Sequence, residues 1–297
     1  MIVTTSSLSY WAGKQQILHE VSLAVPRGAI YGFLGSNGAG KTTTIKILLS
    51  LLRAPSHKVY LFGEELSEHR DGILHRVGSL VEQPAIYGHL TGKENLRNRA
   101  LLLQVSNKKI EEVLAVVGLA DAANKKAGYY SLGMKQRLGI ALALLHDPEL
   151  LILDEPTNGL DPKGIMELRE LLHRLSAEQG KTIFISSHLL GEMEKIATHV
   201  GIINQGRLLF QGSIGELYRM KKPYIDLRVD DLVGAANLLL VKGYAADIHN
   251  DAVVVPYTSD QEMAALNALL VERGYIVYSL RVEKRDLEHL FLDITQN

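Results

Sequence analysis

The sequence predicts an α/β domain built on a parallel sheet, followed by a smaller α+β domain. Two apolar runs, Leu150–Leu153 and Thr182–Ile185, end directly in polar residues, as buried parallel strands do when functional groups follow their carboxyl ends. Apolar residues recur with helical spacing over 96–119 and 131–145. At 297 residues, the chain is long enough for one large domain and one small one.

The predicted domain boundary lies at Arg219–Pro223, a basic stretch that ends in proline. We expect a first domain over residues 1–218 and a second over 223–297. In the second, LLVKGY at 239–244 and LLVERGY at 269–275 each indicate a helix that closes at glycine before a strand. This weak repeat predicts a ferredoxin-like βαββαβ order.

Charge balance, cysteine content and the length of the apolar runs limit the partners and the cellular location that we expect. The chain carries 32 Lys and Arg against 33 Asp and Glu, a formal net charge of −1, so no overall field favours nucleic acid, and we expect no nucleic-acid partner. It has no cysteine, which excludes disulfides and thiolate metal sites. The N-terminus lacks the pattern of a signal peptide, and the apolar runs fall short of the roughly 20 residues that cross a bilayer. We therefore expect a cytoplasmic protein that reaches a membrane only by docking to its inner face.

A glycine-rich run matches GxxxxGK[ST] between a predicted strand, Ala29–Leu34, and a predicted helix, Thr42–Leu52. Glycines let backbone amides turn toward an anion, and the helix N-terminus adds partial positive charge. Lys41 would reach the β- and γ-phosphates of a nucleotide, and the Thr42 hydroxyl would bind Mg²⁺. A glycine-rich turn without a ligand is the alternative. The predicted nucleotide-binding residues of this phosphate loop are Gly35, Ser36, Asn37, Gly38, Ala39, Gly40, Lys41, Thr42 and Thr43.

Two carboxylates, Asp154 and Glu155, follow the apolar run Leu150–Leu153. Asp154 is placed to hold Mg²⁺, and Glu155 to polarise a water molecule that attacks the γ-phosphate. A solvated acidic turn is the alternative interpretation. Together with the phosphate loop, the pair predicts an ATPase that uses ATP and Mg²⁺.

The segment between these motifs resembles that of ABC ATPases. Tyr130–Arg137, YSLGMKQR, is similar to the family signature, although read alone it is only a helix capped by Ser131. The resemblance covers about residues 2–212 and implies an ABC cassette, with a P-loop NTPase core of the RecA type, an antiparallel β subdomain and a helical subdomain. It also implies that Ser131, Gly133 and Met134 bind ATP held by the phosphate loop of a second cassette, most simply in a homodimer.

The same resemblance assigns three further positions. Asp161 lies in a loop similar to the one through which two cassettes contact each other, and His188, after the strand at 182–185, matches a histidine that contacts the γ-phosphate. A structural histidine is the alternative there. Tyr10 is placed to stack on adenine, and the neighbouring Trp11 is the alternative.

The chain departs from the family pattern at two places. After the predicted strand Val77–Val81, Glu82 occupies the position of a glutamine that contacts Mg²⁺ and the attacking water, and a shift of one residue would instead place Gln83 there. A glutamate would be a charged Mg²⁺ ligand without the amide donor. In the signature, Leu132 replaces the usual glycine and Met134 the usual glutamine.

Local motifs indicate a subfamily. Ser79–Pro84, Ile86–Thr91 and the tail Leu287–Ile294 resemble cassettes of bacterial lantibiotic-immunity and bacitracin-type export systems. This implies ATP-driven export of an antimicrobial peptide or antibiotic through a separate transmembrane permease, which would dock at Tyr87–Asn95. An importer ATPase and a non-transport ABC ATPase are the alternatives. The single cassette and the lack of sustained heptads disfavour the non-transport class.

Overall fold

The computed structural model describes residues 1–53, 55–219, 223–249 and 251–283. The chain divides into two compact units, one through Ile214 and one from Gly215 onward. This division lies four residues before the end of the first predicted domain, at residue 218. The tail Leu287–Ile294, which resembles that of peptide exporters, lies outside the described residues.

The first unit alternates strands and helices. Its strands are β1 (Val3–Thr5), β2 (Leu8–Ala12), β3 (Gln15–Val21), β4 (Ala24–Val25), β5 (Ile30–Leu34), β6 (Val59–Leu61), β7 (Glu64–Glu65), β8 (Val77–Leu80), β9 (Leu150–Asp154), β10 (Thr182–Ser187), β11 (His199–Asn204) and β12 (Arg207–Ser213). Its helices are α1 (Lys41–Leu48), α2 (Arg70–Leu74), α3 (Gly92–Leu103), α4 (Asn107–Val116), α5 (Leu132–Leu144), α6 (Pro162–Ala177) and α7 (Leu190–Glu194), with a 3₁₀ turn over Ala127–Tyr129.

A six-stranded sheet in the order β12-β11-β5-β10-β9-β8 forms the centre of this unit. All neighbours are parallel except the edge strand β12, which is antiparallel to β11. Strands β5, β9 and β10 are buried along their whole length, as expected for apolar strands covered on both faces. Their carboxyl ends share one edge of the sheet, where Gly35, Asp154 and His188 lie. The predicted α/β class is confirmed.

Antiparallel strands pack beside the central sheet. They form a four-stranded sheet, β4-β1-β6-β7, and the ribbon β2-β3. Val3, Leu18, Val25 and Leu61 from these strands share a completely buried core with Ile45 of α1. The helix that follows the phosphate loop is therefore fixed by apolar burial on its inner side.

A helical region lies between β8 and β9. The apolar spacing over 96–119 correctly indicates helix, but the structure has two helices, α3 and α4, where the pattern shows one continuous region. Gln104 ends α3 in a left-handed conformation with φ 54°, and Ser106 precedes α4. Thr91 begins α3 through a capping box with Glu94, in which each side chain accepts a hydrogen bond from the other's backbone amide.

The boundary between the units falls within α8 (Ile214–Arg219). The second unit continues with β13 (Tyr224–Val229), α9 (Leu232–Val241), β14 (Asp247–His249), β15 (Ala252–Pro256), α10 (Asp260–Glu272) and β16 (Val277–Glu283). After α8 the order is βαββαβ, and the strands form an antiparallel sheet, β14-β15-β13-β16. Gly243 and Gly274 end the two longer helices with the same left-handed φ of 87°. The next residues, Tyr244 and Tyr275, each donate a backbone hydrogen bond of 3.0 Å back into the helix. Glycine explains both stops, because this conformation is unfavourable for a residue with a Cβ.

Candidate active site

The turn between β5 and α1 requires glycine on steric grounds. A Cβ at Gly35 would lie 2.4 Å from the carbonyl oxygen of Ile203. Gly40 has φ 107°, and a Cβ there would lie 2.7 Å from the Leu18 side chain. A cavity of about 370 Å³ lies over this turn, lined by residues 36–43 apart from the buried Ala39, and by Glu155 and His188. The predicted phosphate loop is therefore a cradle of backbone amides at a helix N-terminus, suited to an anion.

Lys41 is the cation of this cradle. Its side chain is only 6% exposed, and Nζ donates to the carbonyl oxygens of Gly35 at 2.7 Å and Ser36 at 3.3 Å. Nζ also lies 3.2 Å from Oε1 of Glu155. A desolvated ammonium fixed in this way interacts strongly with any anion in the cavity.

Glu155 joins two groups that the sequence places far apart. Its Oε1 contacts Lys41, and its Oε2 lies 2.7 Å from Nδ1 of His188. The backbone at Glu155 is left-handed, with φ 48°, which is uncommon for a residue with a side chain and costs free energy. The turn aims this carboxylate at the cavity over the phosphate loop.

Asp154 ends β9 and is 3% exposed. Its Oδ1 accepts a hydrogen bond of 2.6 Å from the Ser186 hydroxyl, and the same hydroxyl accepts one of 2.9 Å from the Glu155 amide. No motif in the sequence assigns a role to Ser186. The only signal in the sequence was a polar residue near the end of an apolar strand, which does not say which neighbour it will contact.

A second cavity, of about 720 Å³, contains the predicted Mg²⁺ ligands. Thr42, Glu82 and Asp154 all line it, together with Gln83 and Glu155. Hydroxyl and carboxylate oxygens are the donors that Mg²⁺ takes in proteins. The residues present therefore fit this ion.

Glu82 and Gln83 both face this cavity, so position alone leaves both alternatives open. Glu82 has φ 60°, and its Oε1 lies 2.9 Å from Nζ of Lys46. The hydrogen bond from Lys46 holds the pKa of the Glu82 carboxyl below its usual value. Glu82 is thus an anion at neutral pH, and Lys46 of α1 holds it in the lining of the cavity.

The signature segment forms a second helix start. Ser131 caps α5, and its Oγ accepts a hydrogen bond of 3.2 Å from the Met134 amide. Gly133 is unobstructed, since a Cβ there would have no neighbour closer than 3.8 Å. Asp161 similarly caps α6, accepting from the Gly164 amide at 3.0 Å. None of these residues is among those that line the cavity over the phosphate loop.

Two neighbouring aromatic residues are the candidates for the adenine contact. Tyr10 lies in β2, half-buried against the core, and Trp11 is 56% exposed. Neither is among the residues that line the cavity over the phosphate loop, whereas Ile17 of β3 is. Both rings stay candidates for stacking.

Comparison with known proteins defines the class. Residues 18–158 match the model of the family described as ABC transporter. The bacitracin transport ATP-binding protein BcrA of Bacillus licheniformis is 43% identical over 298 residues, covering 99% of this chain and 97% of the relative. The lantibiotic transport ATP-binding protein SrtF of Streptococcus pyogenes is 44% identical over 199 residues, covering 67% of this chain and 85% of the relative. The chain belongs to the ABC transporter family of ATP-binding proteins, which confirms the resemblance.

Solved structures agree on the fold. An ATP-binding subunit of an ABC transporter superposes with a TM-score of 0.66 at 30% identity, covering 74% of this chain and 93% of that one. CbiO1 from Clostridium perfringens, part of the ABC transporter complex cbiONQ, gives 0.68 at 26% identity over 73% of this chain and 90% of that one. The chain is an ABC ATPase, a class that binds and hydrolyses ATP. Over the part of the chain that the structure describes, no helix has both the length and the apolar character to cross a membrane.

Proposed function

We propose that this chain powers export of an antimicrobial peptide or antibiotic through a separate transmembrane permease, acting from the cytoplasmic face of the membrane. One observation carries the proposal: the likeness to a bacitracin transport ATP-binding protein extends over 99% of this chain at 43% identity. The relative named for lantibiotic transport supports the same class of cargo. The chain would bind and hydrolyse ATP, and the permease would form the route by which the cargo crosses the membrane.

The geometry supports distinct roles for the site residues. The loop amides and Lys41 would bind the triphosphate, while Thr42, Asp154 and Glu82 would hold Mg²⁺. That ion would neutralise charge on the phosphate oxygens. Glu155 would orient the attacking water, and His188 would contact the γ-phosphate.

Glu155 would change partners when ATP binds. The Glu155 carboxylate lies 3.2 Å from Nζ of Lys41 and 2.7 Å from Nδ1 of His188. A γ-phosphate bound beside these two residues would compete with the carboxylate for them. Release of this carboxylate by Lys41 and His188 would leave it free to accept a proton from water. Glu155 would thus become available as a base only when ATP is bound.

A second copy of the chain would complete the site. Ser131 and the amides of Gly133 and Met134, at the start of α5, would bind the γ-phosphate held by the partner's loop, and Asp161 would lie at the contact between cassettes. ATP would close the homodimer and hydrolysis would release it. That movement is the step transmitted to the permease.

The experiment for cargo and direction is deletion of the gene, followed by growth in bacitracin and in lantibiotics. We expect sensitivity to at least one of them to rise several-fold, with rescue by the wild-type gene and none by Lys41→Ala. Unchanged sensitivity to all of them would contradict export of such peptides. Co-purification of the chain with ribosomes or DNA in place of a hydrophobic membrane subunit would favour the non-transport alternative.

A further inference from the structure

Ser186 contacts both carboxylate-bearing residues of the site through one hydroxyl. It lies one residue before the end of β10 and is completely buried. In the parallel pairing of β10 with β9, Ser186 is the direct partner of Asp154. Parallel neighbours project side chains on the same face about 4.8 Å apart, so register alone brings these two residues together.

The hydroxyl uses its donor and acceptor capacity on consecutive residues. It donates to Oδ1 of Asp154 at 2.6 Å and accepts from the Glu155 amide at 2.9 Å. The first bond fixes the rotation of the Asp154 carboxylate while using only one of its two oxygens, and Asp154 lines the same cavity as Thr42. The second bond holds the amide at the left-handed turn of Glu155, where φ is 48°.

Other buried hydroxyls of the same strand make contacts of a different kind. Ser187 accepts from the Leu189 amide at 2.9 Å, within its own loop. Thr182, at the other end of β10, is 1% exposed and accepts from the Gly28 amide at 2.9 Å. Thr182 is therefore a matched control: it also joins β10 to a neighbouring segment through a buried hydroxyl, but away from the site.

We propose that Ser186 is a positioning residue for ATP hydrolysis. Its hydroxyl sets the Asp154 carboxylate for Mg²⁺ and holds the turn that aims Glu155 between Lys41 and His188. This inference rests on the proposed ATPase function. Residues that orient a metal ligand in this way typically change metal affinity or activity by about 10- to 100-fold when they are replaced.

The test compares the purified full-length chain with Ser186→Ala and Thr182→Val. We expect Ser186→Ala to need about tenfold more Mg²⁺ for half-maximal ATP hydrolysis and to lower kcat more than it changes KM for ATP. Binding of a fluorescent ATP analogue should weaken in Mg²⁺ and stay unchanged in EDTA. Thr182→Val should lose comparable thermal stability while keeping the wild-type Mg²⁺ dependence.

The results distinguish a positioning role of Ser186 from a purely structural one. If Ser186→Ala folds and keeps the wild-type kcat and Mg²⁺ dependence, Ser186 only ties two strands together and the inference is wrong. If Ser186→Ala does not fold, Ser186→Cys, which keeps the size with a weaker donor, should show an intermediate Mg²⁺ requirement, and wild-type behaviour would overturn the inference. A wild-type chain without ATP binding or hydrolysis would overturn the proposed function, and this inference with it.

Discussion

Among single residues, one carboxylate links a lysine and a histidine of the site. Glu155 contacts Lys41 and His188 at once, from a turn that its backbone adopts at a free-energy cost. Strain of this kind persists where the surroundings hold it in place, here through the hydroxyl of Ser186. The arrangement indicates a group whose position matters for chemistry.

Glu155→Gln is the direct test of that role. The substitution keeps the size of the side chain but removes the charge that accepts a proton, so we expect hydrolysis to fall by about 100-fold or more. ATP affinity should stay the same or rise, because Lys41 loses a competing anion. Glu111→Gln is the control and should hydrolyse ATP normally. Glu111 lies on α4 and forms an exposed ion pair with Lys93 of α3. Normal turnover by Glu155→Gln would remove this residue from its assigned role.

Glu82→Gln separates the two alternatives for the Mg²⁺-contacting position. Replacing a charged oxygen ligand with an amide should raise the Mg²⁺ concentration for half-maximal hydrolysis several-fold, whereas Gln83→Ala should leave it unchanged. The hydrogen bond from Lys46 lowers the pKa of the Glu82 carboxyl. The carboxylate therefore keeps its negative charge at neutral and mildly acidic pH, and loses it only as the pH falls through the lowered pKa. The Mg²⁺ difference between wild type and Glu82→Gln should therefore persist at mildly acidic pH. A shift caused by Gln83→Ala alone would favour the other register.

Sequence motifs identify most of the site residues, but not the side chains that hold those residues in position. GxxxxGK[ST] marks Lys41 because phosphate binding imposes that spacing, and an acidic pair after an apolar run marks Glu155. Ser186 and Lys46 carry no such pattern. Their contacts depend on strand register and helix placement across 32 and 36 residues of chain, which local sequence does not encode.

Among the helices and strands, the start of α5 has two roles in the proposed mechanism. Ser131 satisfies a helix amide in the isolated chain and would bind a phosphate in the dimer. Ser131→Ala should cost about 1 kcal/mol of stability through the lost cap. It should also weaken ATP-dependent association of the chains.

Ser259→Ala is the matched control for that substitution. Ser259 caps α10 in the second unit and accepts from the Glu262 amide at 3.2 Å. It should lose a similar free energy of unfolding, also about 1 kcal/mol, without any effect on association. Equal effects of both variants on association would show that Ser131 acts only as a cap.

The two helix stops in the second unit give an independent prediction. Gly243→Ala and Gly274→Ala each place a Cβ at φ 87°, so each should lower the free energy of unfolding by about 1–2 kcal/mol. Urea denaturation measures the change, and ATP hydrolysis should be unaffected. Wild-type stability of both variants would contradict the assigned role of these glycines.

Elements were predictable where their signals are local. The repeated LLV segments that close at glycine indicated both helices of the second unit, because glycine is the residue that tolerates the left-handed stop. The break between α3 and α4 was missed since Gln104 takes the same left-handed conformation with a side chain that gives no warning of it. Apolar periodicity continued across the break.

At the scale of the whole molecule, the parallel sheet explains why distant motifs meet. The carboxyl ends of β5, β9 and β10 share one edge, so a phosphate loop, an acidic pair and a histidine from three parts of the chain converge there. The α/β order predicted this convergence. The proposed completion of the site by a second chain has no signal in the geometry of one chain and rests on the family resemblance.

In the proposed mechanism, ATP is held between the phosphate loop of one chain and the start of α5 in another. The most direct measurement is the solution mass of the Glu155→Gln chain by light scattering, with and without Mg²⁺-ATP. We expect a mass of twice 32.8 kDa with ATP and 32.8 kDa without it, and no doubling when Ser131→Arg is added. If a Glu155→Gln chain binds ATP, as followed by a fluorescent analogue, yet stays at 32.8 kDa at every ATP concentration, ATP is not held between two chains.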